Sequence, residues 1–375
     1  MSKSFFRRLT KRFFIVVNII AAILFLLGSY GYLFNPKYFW PIGFLTLSAF
    51  YILLILVAFI IFWLFIKPAR ALISVVALLV AYKPISNIIP YRFSHAFNKV
   101  KPENALRVMT WNVAQFDVLN NKKHPEVRNR MFNVINEYEP DIACFQEMVG
   151  SDSIDKAINY IPYFLRQLNM ADYFYSYNRK LDFDNNHHFG VIIFSKYPIV
   201  FKKTVSYPPH DYNSIFQYID ILKDNDTVRV FNLHLQSLKF SNRNLQYIED
   251  PSIKDEQDLK NSKNIISKFK KGFLKRESQS NRIKEEINKS PYPVIVSGDF
   301  NDVPNSYSYN TIGKGLHNAF AEKGTGIGRT YNGISPTLRI DNIFADTRFS
   351  ITQYIRIQKK LSDHFPIIAD MYLKK

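Results

Sequence analysis

Two long, uncharged and strongly apolar runs near the start of the chain limit what it can fold into. Residues 13–36 contain no charged side chain, and residues 38–66 contain none either. A helix needs ~20 apolar residues to cross roughly 30 Å of bilayer hydrocarbon, so each run is long enough to span. A cleaved signal peptide is disfavoured because the first run is too long and the second follows at once. The sequence therefore predicts two membrane spans, about residues 13–35 and 40–66.

A third apolar segment, residues 71–90, leaves the sidedness of the chain open. Only 12 uncharged residues separate Arg70 from Lys83, which is more typical of a re-entrant or interfacial segment than of a span. A crossing is still feasible, because Lys83 can extend its charge to the interface. The basic residues before position 13 indicate a cytoplasmic start. We expect three spans and an integral protein of the inner or plasma membrane whose large domain is extracytoplasmic; two spans would leave that domain inside.

Charge separates the apolar start from the rest of the chain. Residues 1–91 hold nine of the 49 Lys and Arg residues and none of the 31 acidic ones, so 40 basic residues face 31 acidic ones in residues 92–375. A basic domain favours anionic partners, such as nucleic acid, lipid head groups or other phosphates, without choosing among them. The single cysteine, Cys144, excludes an intramolecular disulfide and a cysteine-based zinc site. We predict a membrane anchor in residues 1–91 and one large domain in 92–375.

From about residue 104 the pattern changes to short apolar strands alternating with helices. Residues 126–138 carry apolar side chains at helical spacing, and Pro140 follows them. Residues 239–290 are charged and helix-prone, which predicts a helical insertion. Hairpins mixed with crossover helices indicate an α/β fold, a layered β-sandwich flanked by helices. Strands are predicted at residues 105–113, 142–146, 189–195, 214–222, 228–235, 294–297, 340–344 and 365–371.

Polar residues cluster at six strand ends, where a rigid scaffold can hold side chains in place. Taken alone, each cluster has an ordinary explanation: Asp299 and Asn301 suit a turn after a strand, and Glu147 suits an exposed strand end. A carboxylate and an amide two residues apart can equally hold a metal or align a water. The clusters are Thr110-Trp111-Asn112, Phe145-Gln146-Glu147, Asn232-Leu233-His234, Ser297-Gly298-Asp299-Phe300-Asn301, Arg339-Ile340-Asp341 and Ser362-Asp363-His364.

The joint order of these clusters closely resembles the endonuclease/exonuclease/phosphatase superfamily. That group includes deoxyribonuclease I-like nucleases, abasic-site endonucleases, neutral sphingomyelinases and inositol polyphosphate 5-phosphatases. The resemblance runs from about Leu106 to Leu373, and its most specific part is Gly-Asp-Phe-Asn at 298–301 with Ser-Asp-His at 362–364. It implies a deoxyribonuclease I-like fold and metal-dependent hydrolysis of phosphate esters, most plainly of phosphodiesters. The stretch 239–290 is longer than the usual connection in such proteins.

The resemblance also implies a role for each matched residue. Asn112, Glu147 and Asp363 would be the metal ligands, and their hard oxygen atoms suit Mg²⁺ or Mn²⁺ rather than zinc. His364 would deprotonate the attacking water while Asp341 orients its imidazole. In the alternative assignment, His364 contacts the phosphate and another residue is the base.

The remaining matched residues act on the nucleophile and the phosphate. Asp299 and Asn301 would align the attacking water and hold a phosphate oxygen, and Asp299 is the base in the alternative assignment. His234 would bind the phosphoryl group in the transition state. His187 and His188 are further candidates for a phosphate contact, with a surface turn as the ordinary explanation.

The substrate stays open among a lipid head group, nucleic acid and a small phosphodiester. His-Leu-Gln at 234–236 resembles the sphingomyelinase-like members, and the anchor places the site near the lipid bilayer. The 13 basic and 8 acidic residues of 239–290 would suit an endonuclease or exonuclease instead. A non-catalytic membrane scaffold with a retained fold is the alternative from another class, although every matched position keeps a competent residue. No protein partner is evident from the sequence.

Overall fold

The apolar start of the chain forms long helices, in which the backbone hydrogen bonds are satisfied within each segment. The computed structural model describes residues 3–90, 92, 96–120, 124–151, 159–179, 186–206, 213, 215–251 and 256–374. Helix α1 is Lys3–Ser29, the short α2 is Pro36–Phe39, and α3 is Ile42–Ile66. Within them, Leu9–Ser29 and Ile42–Ile66 are long and apolar enough to cross a membrane.

The third apolar segment is broken near its middle. Helix α4 (Leu72–Val80) and helix α5 (Tyr82–Ile88) meet at Ala81, and the segment bends there by 69°. The described residues therefore contain two candidate spans, or three if the bent pair is one span. The bend alone leaves the predicted third crossing undecided.

The other described residues form two six-stranded sheets with helices on their outer faces. The first sheet has the strand order β11-β12-β1-β2-β4-β3, and the second has the order β5-β6-β7-β8-β10-β9. The predicted layered β-sandwich flanked by helices is thus confirmed. In chain order the elements are β1 (Leu106–Asn112), α6 (Pro125–Tyr138), β2 (Ile142–Gly150), α7 (Ile161–Gln167), β3 (Asp172–Tyr177), β4 (His188–Ser195), β5 (Ile199–Ser206), β6 (Ile215–Lys223), β7 (Asp226–His234), α8 (Asn242–Glu249), α9 (Glu256–Asn288), β8 (Val294–Asp299), α10 (Tyr307–Gly313), β9 (Leu316–Asn318), α11 (Ala319–Lys323), β10 (Asp341–Asp346), β11 (Phe349–Arg356) and β12 (Ile367–Leu373).

Both faces of the central strands are covered by apolar side chains. Val108 and Cys144 of the first sheet pack against Val230 and Ile295 of the second, and all four are buried. Helices α6 and α7 cover the outer face of the first sheet, while α9 and α10 cover that of the second. Because β1 and β2 are buried on both faces, they appear in the sequence as nearly continuous apolar runs.

Four strands were missed by the sequence pattern: β9 and three others, and all four lie at a sheet edge. The other three are β3, β5 and β11. An edge strand is only partly covered, so its polar and apolar residues mix; in β5, Val200, Phe201 and Lys202 are all exposed. The apolar signal that identifies a central strand is therefore weak at the edges of a sandwich.

The charged stretch 239–290 contains α8 and the 33-residue α9. The second half of α9 buries Phe273, Ile283 and Ile287, and the last two belong to the cluster that covers the second sheet. This half of the helix is therefore part of the domain core and not only a solvated appendage.

The topology brings the six polar clusters to one edge of the sandwich. Strands β1 and β2 run parallel, as do β7 and β8, so their four carboxyl ends lie on the same side. Strands β10 and β12 run antiparallel to β8 and β1 and begin at that edge. In this register Asp299 pairs with His234 on one side and with Asp341 on the other.

Candidate active site

A cavity of about 510 Å³ opens at this edge of the sandwich. It is lined by seven of the eight residues predicted to form the site, and the eighth, Asp341, lies behind His364 and contacts it directly. Side chains that are up to 252 positions apart in the chain thus share one concave surface, which is typical of an active site. The seven are Asn112, Glu147, His234, Asp299, Asn301, Asp363 and His364.

A bulge in β2 sets the position of Glu147. The pairing of β2 with β4 shifts between Phe145 and Met148, and Glu147 has a φ of +51°, as is common where a bulge redirects a side chain beside an active site. The Glu147 side chain is 25% exposed and faces the cavity. Burial, followed by the negative charge of Asp363, raises the pKa of Glu147. The site thus holds two carboxylates that repel each other.

Asn112 connects three of the clusters. Its Nδ2 atom donates to Glu147 Oε1 at 3.3 Å and to Asp299 Oδ2 at 3.2 Å. Its backbone carbonyl accepts a hydrogen bond from Ser362 Oγ at 2.8 Å. Asn112 is buried, so the ends of β1, β2 and β8 are held in one arrangement.

The Gly-Asp-Phe-Asn segment combines a tight turn with a buried carboxylate. Gly298 has a φ of +137°, and a Cβ atom there would lie 2.0 Å from Leu233 O, so only glycine fits beside β7. Asn301 donates from its backbone nitrogen to Asp299 Oδ1 at 2.8 Å and from Nδ2 to Oδ2 at 3.1 Å. Burial raises the pKa of Asp299 to about 7, against the opposing effect of nearby His364. The turn therefore orients a carboxylate that can bind a proton near neutral pH.

His364 is held as a buried cation. Its Nδ1 lies 2.9 Å from Asp341 Oδ2, and its backbone carbonyl accepts a hydrogen bond from Trp111 Nε1 at 2.9 Å. Burial would lower the pKa of His364, but the charges of Asp341 and Asp299 outweigh burial and raise it to about 10. Its Nε2 faces Asp299 Oδ2 at 3.7 Å, so a positive charge lies beside the carboxylate.

His234 completes the group from the opposite side of Asp299. Its Nε2 is 3.6 Å from Asp299 Oδ2 and 3.8 Å from Glu147 Oε1. Asn213 Nδ2 lies 3.0 Å from the same nitrogen and donates to Leu235 O at 3.1 Å. The sequence pattern did not indicate Asn213, because a lone asparagine outside the strand ends carries no such signal.

Two polar residues of the predicted clusters have a structural role. Asn232 Nδ2 donates to Phe145 O at 3.0 Å and to Ile192 O at 2.8 Å, while its Oδ1 accepts from Gln146 Nε2 at 2.7 Å. These bonds join the two sheets directly beneath the cavity. They make the edge that carries Glu147 and His234 rigid.

The other predicted phosphate contacts, His187 and His188, do not line this cavity as described. His188 is stacked on the ring of Tyr177, with centroids 4.2 Å apart. It lines a separate cavity that also includes Asp172 and Lys202. The structure thus offers no support for a role of either histidine at the site.

The cavity also has walls that the sequence analysis missed. The ring of Tyr331 lies 5.0 Å from that of His364. Helix α3 supplies Phe44, Leu47 and Tyr51. None of these could be found from spacing, since no short window of sequence relates helix α3 or Tyr331 to the strand ends of the site.

Comparisons with known proteins agree with this geometry. A model of the Endonuclease/Exonuclease/phosphatase family matches residues 109–364, and one described as a Domain of unknown function (DUF8431) matches residues 11–88. No curated protein matches the chain.

Several solved structures are similar to parts of this chain. D. rerio TDP2 complexed with a single-strand DNA product is 16% identical, with a TM-score of 0.49, covering 72% of this chain and 99% of that one. The human Nocturnin catalytic domain with bound sulfate is 16% identical, with a TM-score of 0.47 and coverages of 73% and 96%. A Bacteroides thetaiotaomicron endonuclease/exonuclease/phosphatase family protein is 17% identical, with a TM-score of 0.48 and coverages of 71% and 97%. Since the family match spans more than half of the sequence and includes all eight site residues, the chain belongs to the endonuclease/exonuclease/phosphatase family.

Proposed function

We propose that this protein is a membrane-anchored, divalent-metal-dependent phosphodiesterase in which water attacks phosphorus. The observation that carries the proposal is the arrangement around Asp299. Two imidazoles face its Oδ2 atom, His234 at 3.6 Å and His364 at 3.7 Å, and the carboxylate of Glu147 lies beside them. A base, cationic contacts for a phosphoryl group and oxygen ligands for a metal are then within reach of one substrate atom.

The reaction requires a base and a proton donor. The oxygen of a water molecule forms a bond to phosphorus, and the bond from phosphorus to the leaving ester oxygen breaks. The proton released by water goes to the base, and the leaving oxygen takes up a proton from solvent water. A carboxylate with a pKa raised to about 7 suits that base. A histidine whose pKa is raised to about 10 is protonated and suits contact with a phosphoryl oxygen. These pKa values favour Asp299 as the base and His364 as the phosphate contact, rather than the reverse.

The donor set fits a hard divalent cation. Asn112, Glu147 and Asp363 would hold Mg²⁺ or Mn²⁺. Burial and then the charge of Asp363 raise the pKa of Glu147, and a bound cation would offset both effects. When bound, the metal supplies positive charge that polarises the phosphoryl group and stabilises the leaving oxygen.

A second group of possible ligands lies deeper in the site. Ligand atoms of Asp299, Asp341 and His364 all lie within 4.8 Å of one another, and Asp341 Oδ1 has no hydrogen-bond partner among the described residues. We assign the metal to the Glu147 group, because His364 Nδ1 is already bonded to Asp341 and is a poor ligand while protonated.

The contacts of the membrane helices bear on sidedness. The α1–α3 connection docks on the catalytic domain: Asn35 Nδ2 donates to Glu277 Oε1 at 2.9 Å, and Lys270 lies 5.5 Å from the ring of Trp40. The end of α5 docks on the same domain, where Asn305 Nδ2 donates to Pro84 O at 2.9 Å.

These contacts favour three crossings. If α1 and α3 both span the membrane, their connection lies opposite to the N-terminus, and the catalytic domain lies with it. Lys67 and Arg70 follow α3 and are back on the side of the N-terminus, so residues 68–88 must cross again despite their bend. With the basic residues cytoplasmic, the catalytic domain is extracytoplasmic.

The test uses the full chain purified in detergent and the soluble diester bis(4-nitrophenyl) phosphate. We expect hydrolysis that a chelator abolishes and that Mg²⁺ or Mn²⁺ restores. A folded chain that leaves this diester, an oligonucleotide and phospholipid intact in the presence of metal would favour the non-catalytic scaffold. Cleavage of the oligonucleotide alone would favour the nuclease.

A further inference from the structure

The walls of the active-site cavity differ in character from its floor. The floor carries the carboxylates and imidazoles of the site, whereas the walls are largely apolar. One wall is formed by Phe44, Leu47 and Tyr51 of α3. The other comes from the segment around α8 and α9, with Leu238, Phe240, Leu245, Ile248 and Phe269.

The first wall is continuous with a membrane span. The ring of Phe44 lies 5.1 Å from that of Phe269 and 5.7 Å from that of Phe273, so α3 is packed directly against α9. Tyr51 is nine residues into α3, roughly 14 Å along the axis at 1.5 Å per residue. The cavity is therefore bordered by a helix that is long and apolar enough to cross a membrane. With α3 in the bilayer, as in the proposed function, this wall gives an apolar substituent a path between lipid and site.

The loop that contains Ile334 and Ser335 also lines the cavity and is hydrogen-bonded to α3. Tyr51 Oη and Ser335 Oγ are 2.8 Å apart. The neighbouring Ile334 lines the cavity, is 46% exposed and has a φ of +53°. A β-branched residue in the left-handed region is strained, and an exposed one has no burial to compensate. Such a local conflict is expected where the side chain serves a ligand, and this side chain is apolar.

The charges around the cavity do not suit a polyanion. Among the described lining residues, the cations Lys239, Arg276 and His364 face four carboxylates. Arg276 is already paired with Asp302 at 3.3 Å. A nucleic acid depends on several Lys or Arg contacts along its backbone, and the wall where its flanking nucleotides would lie is instead aromatic and aliphatic.

We propose that the substrate is a phospholipid that enters from the bilayer, with its phosphodiester at the polar floor and its acyl chains along α3, Phe240 and Phe269. This inference rests on the proposed function and names its substrate class. A cavity of about 510 Å³ is in the range that encloses a ligand of drug-like size, enough for a head group, the phosphate and the first carbons of the chains. The remainder of each chain stays in the membrane.

The first experiment compares three substrates on the full chain with Mg²⁺. They are mixed micelles of phosphatidylcholine, phosphatidylglycerol and sphingomyelin; bis(4-nitrophenyl) phosphate; and a single-stranded oligonucleotide. We expect the highest kcat/KM for at least one micellar lipid. Hydrolysis of the soluble diester or of the oligonucleotide with all three lipids intact overturns the lipid assignment and leaves the phosphodiesterase standing. If the lipids, the soluble diester and the oligonucleotide all stay intact, the lipid assignment and the proposed phosphodiesterase function are both overturned.

The second experiment alters the apolar wall. Leu47→Trp keeps α3 apolar but fills part of the cavity, so the ratio of the lipid rate to the soluble-diester rate should fall about tenfold or more, as for other steric changes in apolar pockets. Leu64→Trp is the matched control, since Leu64 is an exposed residue of the same helix that does not line the cavity. An unchanged ratio in Leu47→Trp, or an equal fall in Leu64→Trp, contradicts the proposal.

The third experiment uses the strained residue Ile334. Asparagine tolerates a positive φ, so Ile334→Asn should preserve or raise the melting temperature while it lowers the lipid rate relative to the soluble diester. This combination separates a ligand contact from a packing role, because loss of a packing residue would lower the melting temperature. A variant with full lipid activity would count against the assignment.

Discussion

At the scale of single residues, we expect His364 and Asp341 to act as one unit. The 2.9 Å contact from Nδ1 to Oδ2 and the raised pKa of His364 make the charge of the imidazole depend on Asp341. We expect His364→Ala to lower kcat by about 10²–10³, the usual loss when one electrostatic contact to the reacting group is removed. Asp341→Asn should act through the same histidine.

The double variant tests that dependence. It should lose little more activity than His364→Ala alone, because residues that act as a unit are not additive. Asp346→Asn, at the far end of β10 and paired with Arg348, serves as the control and should keep normal activity. Fully additive losses would mean that Asp341 and His364 act separately.

Glu147 gives a second residue-scale prediction, on metal dependence. Glu147→Gln keeps the size of the side chain but removes its charge, so the metal concentration for half-maximal activity should rise by about tenfold or more. Removing a residue that only hydrogen-bonds to a metal ligand typically lowers the affinity for the metal by 10–100-fold, so removing a ligand should cost at least as much. A titration of Mg²⁺ against activity measures the change, with Glu285→Gln on the exposed face of α9 as control. An unshifted titration would remove Glu147 from the metal site.

At the scale of elements, the close pairing of β7 and β8 depends on Gly298. Gly298→Ala combines an unfavourable φ of +137° with a clash against Leu233 O, so the free energy of unfolding should fall by about 3 kcal/mol or more. Gly315→Ala is a matched control: its φ is +81°, and nothing lies within 4 Å of the added Cβ. It should cost only about 1 kcal/mol. Chemical denaturation in detergent compares the two, and equal losses would show that the clash is relieved.

The strand pairing around the site also explains how it accommodates residues with a strained backbone. Glu147 and Asn301 both have positive φ values; Glu147 lies at the bulge inside β2, and Asn301 lies just after the end of β8. The pairing of β2 with β4 holds the bulge on both sides, and the pairing of β8 with β10, with the hydrogen bonds from Asn301 to Asp299, holds the turn. The cost of strain is thus offset by the surrounding sheet.

At the scale of the whole molecule, the docking of residues 30–41 and 82–90 on the catalytic domain leads to a prediction on sidedness. A reporter that is active only outside the cytoplasm should be active when fused after Lys375. The same reporter fused after Arg70 should be inactive, because that connection lies on the side of the N-terminus. A silent but well-expressed fusion at Lys375 would contradict the three-crossing arrangement.

Several features of this protein are determined by local sequence alone. Uncharged runs longer than a bilayer is thick identify α1 and α3, since hydropathy is a property of each segment by itself. The central strands are equally clear, because burial on both faces makes them apolar throughout. The spacing and order of the polar strand ends were sufficient to identify the fold family, and they named seven residues that line one cavity; the role of each stays a prediction.

Other features were decided only by the tertiary structure. That Asp341 lies behind His364, that Asn213 meets His234, and that α3 forms a wall of the cavity all depend on contacts between distant parts of the chain. Tyr51 and Ser335, for example, are 284 positions apart. Periodicity and hydropathy indicate which face of a segment is exposed and which is buried. They do not specify which other segment packs against the buried face. That choice depends on the packing of the whole chain.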